Sequence, residues 1–186
     1  LAGGAGLGYC VRRAGAEERE RDLPVAGLAA AFFLVADAPF FPVAVGTEGH
    51  LLGGTLAVLL LGPWLGGVTM AVVTALQALV LGDGGVTTLG LNIFNLALMP
   101  AFAGYPLASA LRRVLPLALA CGLAGSATVL LGGGCFLAES VLGASRTIDF
   151  SAVAAAMLGT YAVVAVIEGV LTALIVHGQS TAVLLV

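Results

Sequence analysis

The residues with the clearest chemical potential lie in the stretch from Gly46 to Tyr105, where a few polar side chains interrupt long apolar runs. His50 carries the best donor for a transition metal, because neutral imidazole binds nickel, cobalt and copper well. Amides and carboxylates commonly hold the second ring nitrogen of such a histidine and fix its orientation. Capture of a transition-metal ion is the chemistry that these residue types suggest, with three amides as supporting candidates: Gln77, Asn92 and Asn95.

Each of these residues also has an ordinary structural interpretation. One histidine does not make a metal site, so from the residues alone His50 could be a loop histidine. The three amides could form interhelical hydrogen bonds, worth about 0.6 kcal/mol each. Asp83 could shape a turn, and Thr47 could cap a helix. The second histidine, His177, lies beyond the last predicted span.

The composition places the chain in a membrane. Hydrophobic residues make up 60% and charged residues 9% of the sequence, and the mean hydropathy is +1.13, so polar side chains are too few to cover a water-soluble globule. The seven basic residues are all arginine and lie in three loops, which argues against a nucleic-acid partner. Without lysine the chain cannot form a G-x-x-x-x-G-K-[ST] phosphate loop, so we expect a protein that is not an enzyme.

The hydrophobic runs predict an all-α integral membrane protein, a bundle of six transmembrane helices plus the remnant of an N-terminal seventh. Residues 1–186 form one transmembrane domain: 1–11 end a truncated first helix, 12–22 form a cytoplasmic loop, and 23–186 form the six-helix bundle. Because the chain begins with Leu1, we expect that a missing front supplies most of the first helix. The six predicted spans are 23–45, 51–61, 64–81, 88–111, 115–142 and 151–176.

Proline, glycine and span length predict several irregularities in the bundle. The run 51–61 would rise only about 16 Å, half of a roughly 30 Å hydrocarbon core. It must therefore be half-spanning, tilted or continued, or else use Thr47 to His50 as its first turn. Other expected features are a kink or break at Pro39 and Pro42, a left-handed glycine turn at 82–85, a weak point at 132–134, and a polar connection over 139–150.

The arginines predict the orientation, because positive charge is retained on the cytoplasmic side. The loops that contain Arg12 to Asp22 and Arg112 to Arg113 are then cytoplasmic, and Arg146 alone is outside. This arrangement places the loop around His50 and the turn at Asp83 at the outer surface.

Four motifs resemble the CbiM/NikM family, the substrate-capture (S) components of energy-coupling-factor (ECF) transporters for cobalt or nickel. They are G-T-x-G-H-L-L-G-G at 46–54, L-G-P-W at 61–64, Q-A-L at 77–79 and D-G-G-x-T-x-L-G-x-N-I-F-N at 83–95, with a weaker I-E-G-x-L-T-A at 167–173. The resemblance implies a bacterial or archaeal cytoplasmic membrane, a transmembrane coupling (T) protein, ATP-binding (A) subunits and a small accessory membrane subunit as partners. It also implies Co²⁺ or Ni²⁺ as transported substrate, with no permanently bound cofactor.

The resemblance also implies a ligand set of nitrogens for the metal. The histidine of the G-T-x-x-H run maps onto His50, whereas the other three nitrogens belong to a free N-terminus and a histidine at the second position. We therefore expect the 186-residue chain to bind metal weakly, and a chain with a front that begins Met-His to bind orders of magnitude more tightly. Thr47, Asp83 and the three amides are expected around this site, and Tyr161 stands where the family commonly has histidine.

Two other functions remain open from the sequence. In a self-sufficient secondary transporter or channel, Asp37 and Glu168 would relay protons or ions across the membrane. A purely structural membrane protein is the third possibility, although it leaves the ordered motifs unexplained. The small-residue pairs Ala2/Gly6 and Gly4/Gly8 favour close helix contacts with partner subunits or within the bundle.

Overall fold

The protein is almost entirely helical in a computed structural model that describes residues 2–17, 22–37, 41–44, 47–143 and 150–183. One short β-hairpin lies between the second and third helices. The elements in chain order are α1 (Ala2–Glu17), α2 (Asp22–Ala36), β1 (Phe41–Ala44), β2 (Thr47–Gly49), α3 (Gly54–Leu61), α4 (Pro63–Leu76), α5 (Leu89–Ile93), α6 (Tyr105–Leu111), α7 (Leu117–Gly143) and α8 (Phe150–Val183).

Within the residues that the structure describes, four helical stretches are long and apolar enough to cross a membrane. They are Pro63–Leu81, Val86–Leu111, Leu117–Gly143 and Phe150–Gln179. The helix α2, with 15 residues, and α3, with 8, are shorter than the roughly 20 residues that a straight span needs. The helical membrane architecture is therefore confirmed, but the predicted count of six spans plus a remnant is not.

Widened helical turns interrupt two of these stretches. The helix α4 continues as a π-helical turn at Gln77–Leu81, and two further π segments, Phe94–Leu98 and Pro100–Gly104, join α5 to α6. Pro100 has no N–H, so the Leu96 carbonyl loses the donor that an α-helix would supply. The start of α3 at Gly54 packs against that carbonyl and against the Pro100 ring.

The helix of the predicted span 23–45 ends ahead of the prolines, as expected, but two strands follow it in place of a kinked helix. The helix α2 ends at Ala36, ahead of Pro39, because a residue that precedes proline is disfavoured in the helical conformation. The strands β1 and β2 then pair antiparallel, with Phe41 opposite Gly49. Because α3 begins only at Gly54, Thr47 to His50 do not form its first turn. The half-spanning alternative matches its rise of about 12 Å.

Two other boundaries also differ from the prediction. The helix α1 does not end near Val11 but continues to Glu17, since a helix end outside hydrocarbon can carry charged residues. The helix α7 runs unbroken through the three glycines at 132–134 and reaches Gly143, so the predicted weak point was wrong. Glu139 therefore belongs to a helix and not to a loop. Arg146 lies outside the described residues.

The apolar core is centred on α4, which packs against α1, α2 and α3. Its Met70 and Val73 are fully buried together with Phe33 of α2 and Leu98 of the π segment. Cys10 of α1 is also completely buried, which agrees with its interpretation as a small hydrophobic residue. This core fixes the ends of α3 and α4 that lead into the polar region.

The helices α7 and α8 form the most extensive contact between elements. Gly122 and Gly169 bring the two backbones together, since an added Cβ at Gly122 would lie 2.6 Å from the Gly169 carbonyl oxygen. The Ser126 hydroxyl donates a hydrogen bond to the Ala165 carbonyl across this contact, at 2.8 Å. The opposite face of α8 exposes large aliphatic side chains such as Val166, as expected for a surface that faces lipid.

Candidate functional site

A polar pocket of about 720 Å³ lies where the ends of α4, α5, α7 and α8 meet the turn before α3. It collects side chains from six separate parts of the chain. Among its lining residues are His50, Thr74, Gln77, Asp83, Asn92, Asn95, Phe136, Glu139, Ser140 and Tyr161. Five of the predicted site residues therefore converge: His50, Gln77, Asp83, Asn92 and Asn95. Thr47 lies in β2, where its side chain falls outside the described part of the structure.

The His50 ring is oriented by its own backbone neighbour. Its Nδ1 lies 2.5 Å from the Leu51 carbonyl oxygen, and because a carbonyl can only accept, Nδ1 carries the proton. In the neutral ring the lone pair is then on Nε2. That atom lies 3.7 Å from Oδ2 of Asp83, so the metal-binding nitrogen of the ring is directed towards the pocket and a carboxylate.

The turn that carries Asp83 is built from glycines and fixed by two side chains. Gly82, Gly84 and Gly85 all have positive φ angles, between 68° and 75°, which confirms the predicted left-handed turn. The Asn92 amide donates to the Gly84 carbonyl at 2.9 Å, and the Thr88 hydroxyl donates to the Gly84 and Gly85 carbonyls. Asn92 thus holds the turn, and through it the Asp83 carboxylate.

Asn95 connects the pocket to a residue that the sequence reasoning missed. Its amide nitrogen donates to Oε2 of Glu139 at 2.9 Å. Glu139 was assigned to a polar connection, but in α7 it follows Gly132 and Phe136 at helical spacing and lines the pocket with them. That spacing of four and then three residues was the available signal.

Two buried polar atoms at the pocket lack a hydrogen-bond partner among the described residues. They are the amide oxygen of Asn95 and the amide nitrogen of Gln77. Both residues are more than nine-tenths buried, and an unpaired buried polar group costs about 1–3 kcal/mol. The Asn95 oxygen is therefore available to a polar occupant of the pocket, whereas the Gln77 amide lies beside the Asp37 carboxylate.

The π-helical turns change which residues share a face. At α-helical spacing, Asn92, Asn95 and Met99 would share one helical face. Asn92 and Asn95 do line the pocket, but Met99 is not among its lining residues. The π segment at Phe94–Leu98 explains the difference, because its wider turn rotates the residues that follow.

Glu168 reaches the site from α8. Its Oε1 accepts a hydrogen bond from the Leu52 N–H at 2.7 Å and a second one from the Gly53 N–H. Asp37 approaches the same turn, with Oδ1 3.6 Å from the position that a Cβ of Gly53 would occupy. The two carboxylates of the relay hypothesis therefore meet at one turn and form no hydrogen-bonded path between the two membrane surfaces in the described structure.

Three or more histidine, cysteine or carboxylate side chains do not gather into a metal-binding group anywhere in the described residues. His50 is one imidazole with Asp83 beside it, and the other pocket side chains are amides, hydroxyls, aromatics, leucines, Met157 and Glu139. The site as described supplies a single nitrogen ligand with acceptors around it.

The fold and the site define a helical membrane protein with a polar pocket between the ends of its spans. The chain belongs to the CbiM family: the family model described as the cobalt uptake substrate-specific transmembrane region matches residues 1–178.

Individual relatives agree with this assignment. A putative metal transport protein of Haloquadratum walsbyi is 34% identical over 167 residues, which cover 90% of this chain and 76% of that protein. The cobalt transport protein CbiM of Thermosediminibacter oceani is 38% identical over 69% of this chain and 49% of its own length. A putative fused nickel transport protein NikMN of Archaeoglobus fulgidus is 39% identical over 58% of this chain and 35% of its own length. The chain thus spans about half or less of the last two proteins.

A solved structure shares the fold. The crystal structure of a truncated transition-metal transporter superposes with a TM-score of 0.85 at 24% identity and covers 97% of this chain and 92% of that chain. At this identity the likeness establishes the common fold.

Proposed function

We propose that the protein is the membrane-embedded substrate-binding component of an ECF importer for cobalt or nickel, and that it captures the ion at His50 from the outer side. The observation that carries this proposal is the placement of Nε2 of His50 in the polar pocket, 3.7 Å from the Asp83 carboxylate. An imidazole nitrogen selects for transition metals, while the carboxylates of Asp83 and Glu139 attract cations to the pocket. The metals named for the relatives above support the choice of substrate.

Metal binding at His50 is tested by titrating Co²⁺ into the purified protein and into His50→Ala. Loss of the sole imidazole at the pocket should remove the measurable binding. His177→Ala is the matched control, because that histidine lies near the end of α8, away from the pocket lining. Equal affinity in the protein and in His50→Ala would contradict the proposed site.

The outer placement is supported by the distribution of charge over the helix ends. Arg13 stacks over the Trp64 ring at 5.5 Å, where α4 begins, and Arg112 and Arg113 lie between α6 and α7. The pocket lies at the other ends of α4 and α7. Because arginine is retained in the cytoplasm, the pocket should face outwards.

Single-cysteine labelling tests this orientation in intact cells. Ala16→Cys should be protected from an impermeant maleimide and Gly84→Cys should react, in a background where Cys10, Cys121 and Cys135 are replaced. Labelling of position 16 without labelling of position 84 would reverse the proposed orientation.

Coupling to separate ATPase subunits is supported by an exposed face of α1 that carries glycines. Gly3 and Gly6 face Gly90 and Leu98 inside the bundle, whereas Gly4 and Gly8 are exposed and have no neighbour within 4 Å in the described structure. Such a face permits close packing with a helix of a coupling protein.

Reconstituted uptake distinguishes the importer from a self-sufficient transporter. Proteoliposomes should accumulate Co²⁺ only when the coupling protein, the ATPase subunits and ATP are all present. Sustained, ion-gradient-driven uptake by this chain alone would favour the secondary transporter.

A further inference from the structure

We propose that Glu168 is a positioning residue for His50, acting through one shared peptide group; the inference rests on the proposed metal capture at His50. The carbonyl of Leu51 and the N–H of Leu52 belong to the same peptide bond. Nδ1 of His50 donates to that carbonyl at 2.5 Å, and Oε1 of Glu168 accepts from that N–H at 2.7 Å. The carboxylate and the imidazole therefore form hydrogen bonds to opposite sides of one planar peptide group.

The planarity of the peptide makes this connection directional. Because the C=O and N–H of a trans peptide lie in one plane and point in opposite directions, fixing the N–H fixes the direction of the carbonyl. The carbonyl in turn selects the protonated ring nitrogen and the ring orientation. Metal-binding histidines commonly bond directly to a carboxylate or a backbone carbonyl; here the carboxylate acts one peptide further away, and hydrogen bonds in such a chain strengthen each other.

The backbone around the turn is shaped to receive this carboxylate. Gly53 has φ 60° and ψ −10°, a left-handed conformation that allows two successive N–H groups to face one acceptor. Oε1 of Glu168 accepts from the second of them as well. Glu168 and Leu52 are 5% and 7% exposed, so water cannot replace these bonds easily, and their loss leaves two buried N–H groups without a partner.

The turn also has apolar contacts, because Leu52 is buried beside Val129, Val164 and Ala165. His50 to Gly53 connect β2 to α3 without regular secondary structure. The first hydrogen bond of α3 starts from the Gly53 carbonyl, beyond the peptide that His50 contacts. In the described structure the hydrogen bond to Glu168 therefore sets the direction of the Leu52 N–H.

The test uses Glu168→Ala, Glu168→Gln and the control Thr172→Val in the full chain. Thr172 lies one turn further along α8 and is equally buried, but it does not touch the turn. The readouts are the ¹⁵N shifts of the His50 ring, which report the protonated nitrogen, the proton shift and exchange rate of the Leu52 amide, and Co²⁺ affinity.

Glu168→Ala should give a mixture of ring tautomers, at least about 10-fold faster exchange of the Leu52 amide, and about 10–100-fold weaker Co²⁺ binding. Glu168→Gln should retain the Nδ1–H tautomer, because its carbonyl oxygen still accepts, and should bind Co²⁺ within about 10-fold of the parent protein. Thr172→Val should match the parent protein in all three readouts.

An unchanged tautomer in Glu168→Ala, or the same changes in Thr172→Val, would overturn the inference. If Glu168→Ala does not fold, Glu168→Met, which keeps most of the side-chain volume but removes the acceptor, takes its place, and an unchanged tautomer in that variant overturns the inference. These tautomer and amide readouts need no metal. If they change as expected while His50→Ala binds Co²⁺ normally, the proposed function fails and the peptide connection stands.

Discussion

The α7–α8 pair and the turn that carries His50 are built in opposite ways. The pair is held by many apolar contacts between regular helices, with Gly122 and Gly169 in close approach. The turn has no regular structure; besides the apolar packing of Leu52, it is held by a few polar contacts from distant parts of the chain, above all from Glu168. The packing of the α7–α8 pair should therefore tolerate the loss of one contact, whereas the geometry of the site depends on single contacts.

The strongest test of this contrast is Gly53→Ala. The substitution forces a Cβ into a left-handed residue and towards Cδ1 and Cε1 of Phe33, at 2.6 and 2.8 Å. We expect a loss of about 2–4 kcal/mol in unfolding free energy, from backbone strain plus overpacking. Denaturant unfolding in detergent measures it.

Gly82→Ala is the matched control for Gly53→Ala. Gly82 has the same left-handed conformation, φ 74° and ψ 14°, but an added Cβ would meet nothing within 4 Å in the described structure. It should therefore show the strain alone, about 1–2 kcal/mol. Equal losses at the two positions would mean that the packing around the turn contributes nothing.

Asn95→Ala tests a polar contact at the site. It removes the donor to Glu139 and should weaken Co²⁺ binding by about 10–100-fold without large destabilisation. Ser140→Ala is the control, since this hydroxyl lines the same pocket but bonds to the Phe136 carbonyl of its own helix. Similar affinities of the two variants for Co²⁺ would deny Asn95 a specific role.

Gly169→Ala tests the packing of the α7–α8 pair. Its Cβ would collide with the Ser126 hydroxyl and approach the Gly122 carbonyl oxygen to 2.9 Å. Because the long pair can relax by small shifts, we expect a loss of about 1–3 kcal/mol and unchanged Co²⁺ affinity. Gly159→Ala on the same helix meets nothing within 4 Å and should be neutral or slightly stabilising, as judged by the unfolding midpoint.

The smallest effect is expected for the buried hydroxyl pair Thr55 and Thr128, whose Oγ1 atoms are 2.5 Å apart. The Thr128 hydroxyl also bonds to carbonyls of its own helix, so it keeps acceptors when Thr55 becomes valine. A double-mutant cycle with Thr55→Val and Thr128→Val should give a coupling of about 0.6 kcal/mol. A coupling several times larger would show that single polar contacts also stabilise the packing between regular helices.

The regular part of the fold followed from the sequence because hydrophobic runs and proline positions act locally. The predicted spans 64–81 and 115–142 match the helical stretch Pro63–Leu81 and the helix α7 within two residues. The helix α8 extends seven residues beyond the predicted end at 176. The β-hairpin after α2 was not predicted, since the same apolar run is compatible with a membrane helix. The π segments were not predicted either. The sequence shows only that Pro100 lacks an N–H, and the effect of this loss falls on the hydrogen bonds of the preceding turn.

The candidate site followed in part for the same reason. His50, Asp83 and the three amides sit near helix ends that the sequence places on one side, so their convergence could be predicted. Glu139 was missed because it was assigned to the polar connection over 139–150, although the predicted span 115–142 also includes it and α7 extends to Gly143. Glu168 was missed because it reaches a turn 115 residues away in the chain, and one sequence carries no local signal for such a contact.

The helix α8 is too long to lie wholly within the hydrocarbon core. Its 34 residues extend about 51 Å, and even at a tilt of about 40° they rise about 39 Å, more than a hydrocarbon core of roughly 30 Å. About 9 Å of the helix must therefore project into the headgroups or the water beyond. The helix that contacts the His50 turn through Glu168 therefore also extends beyond the hydrocarbon core, where it is accessible from outside the bilayer.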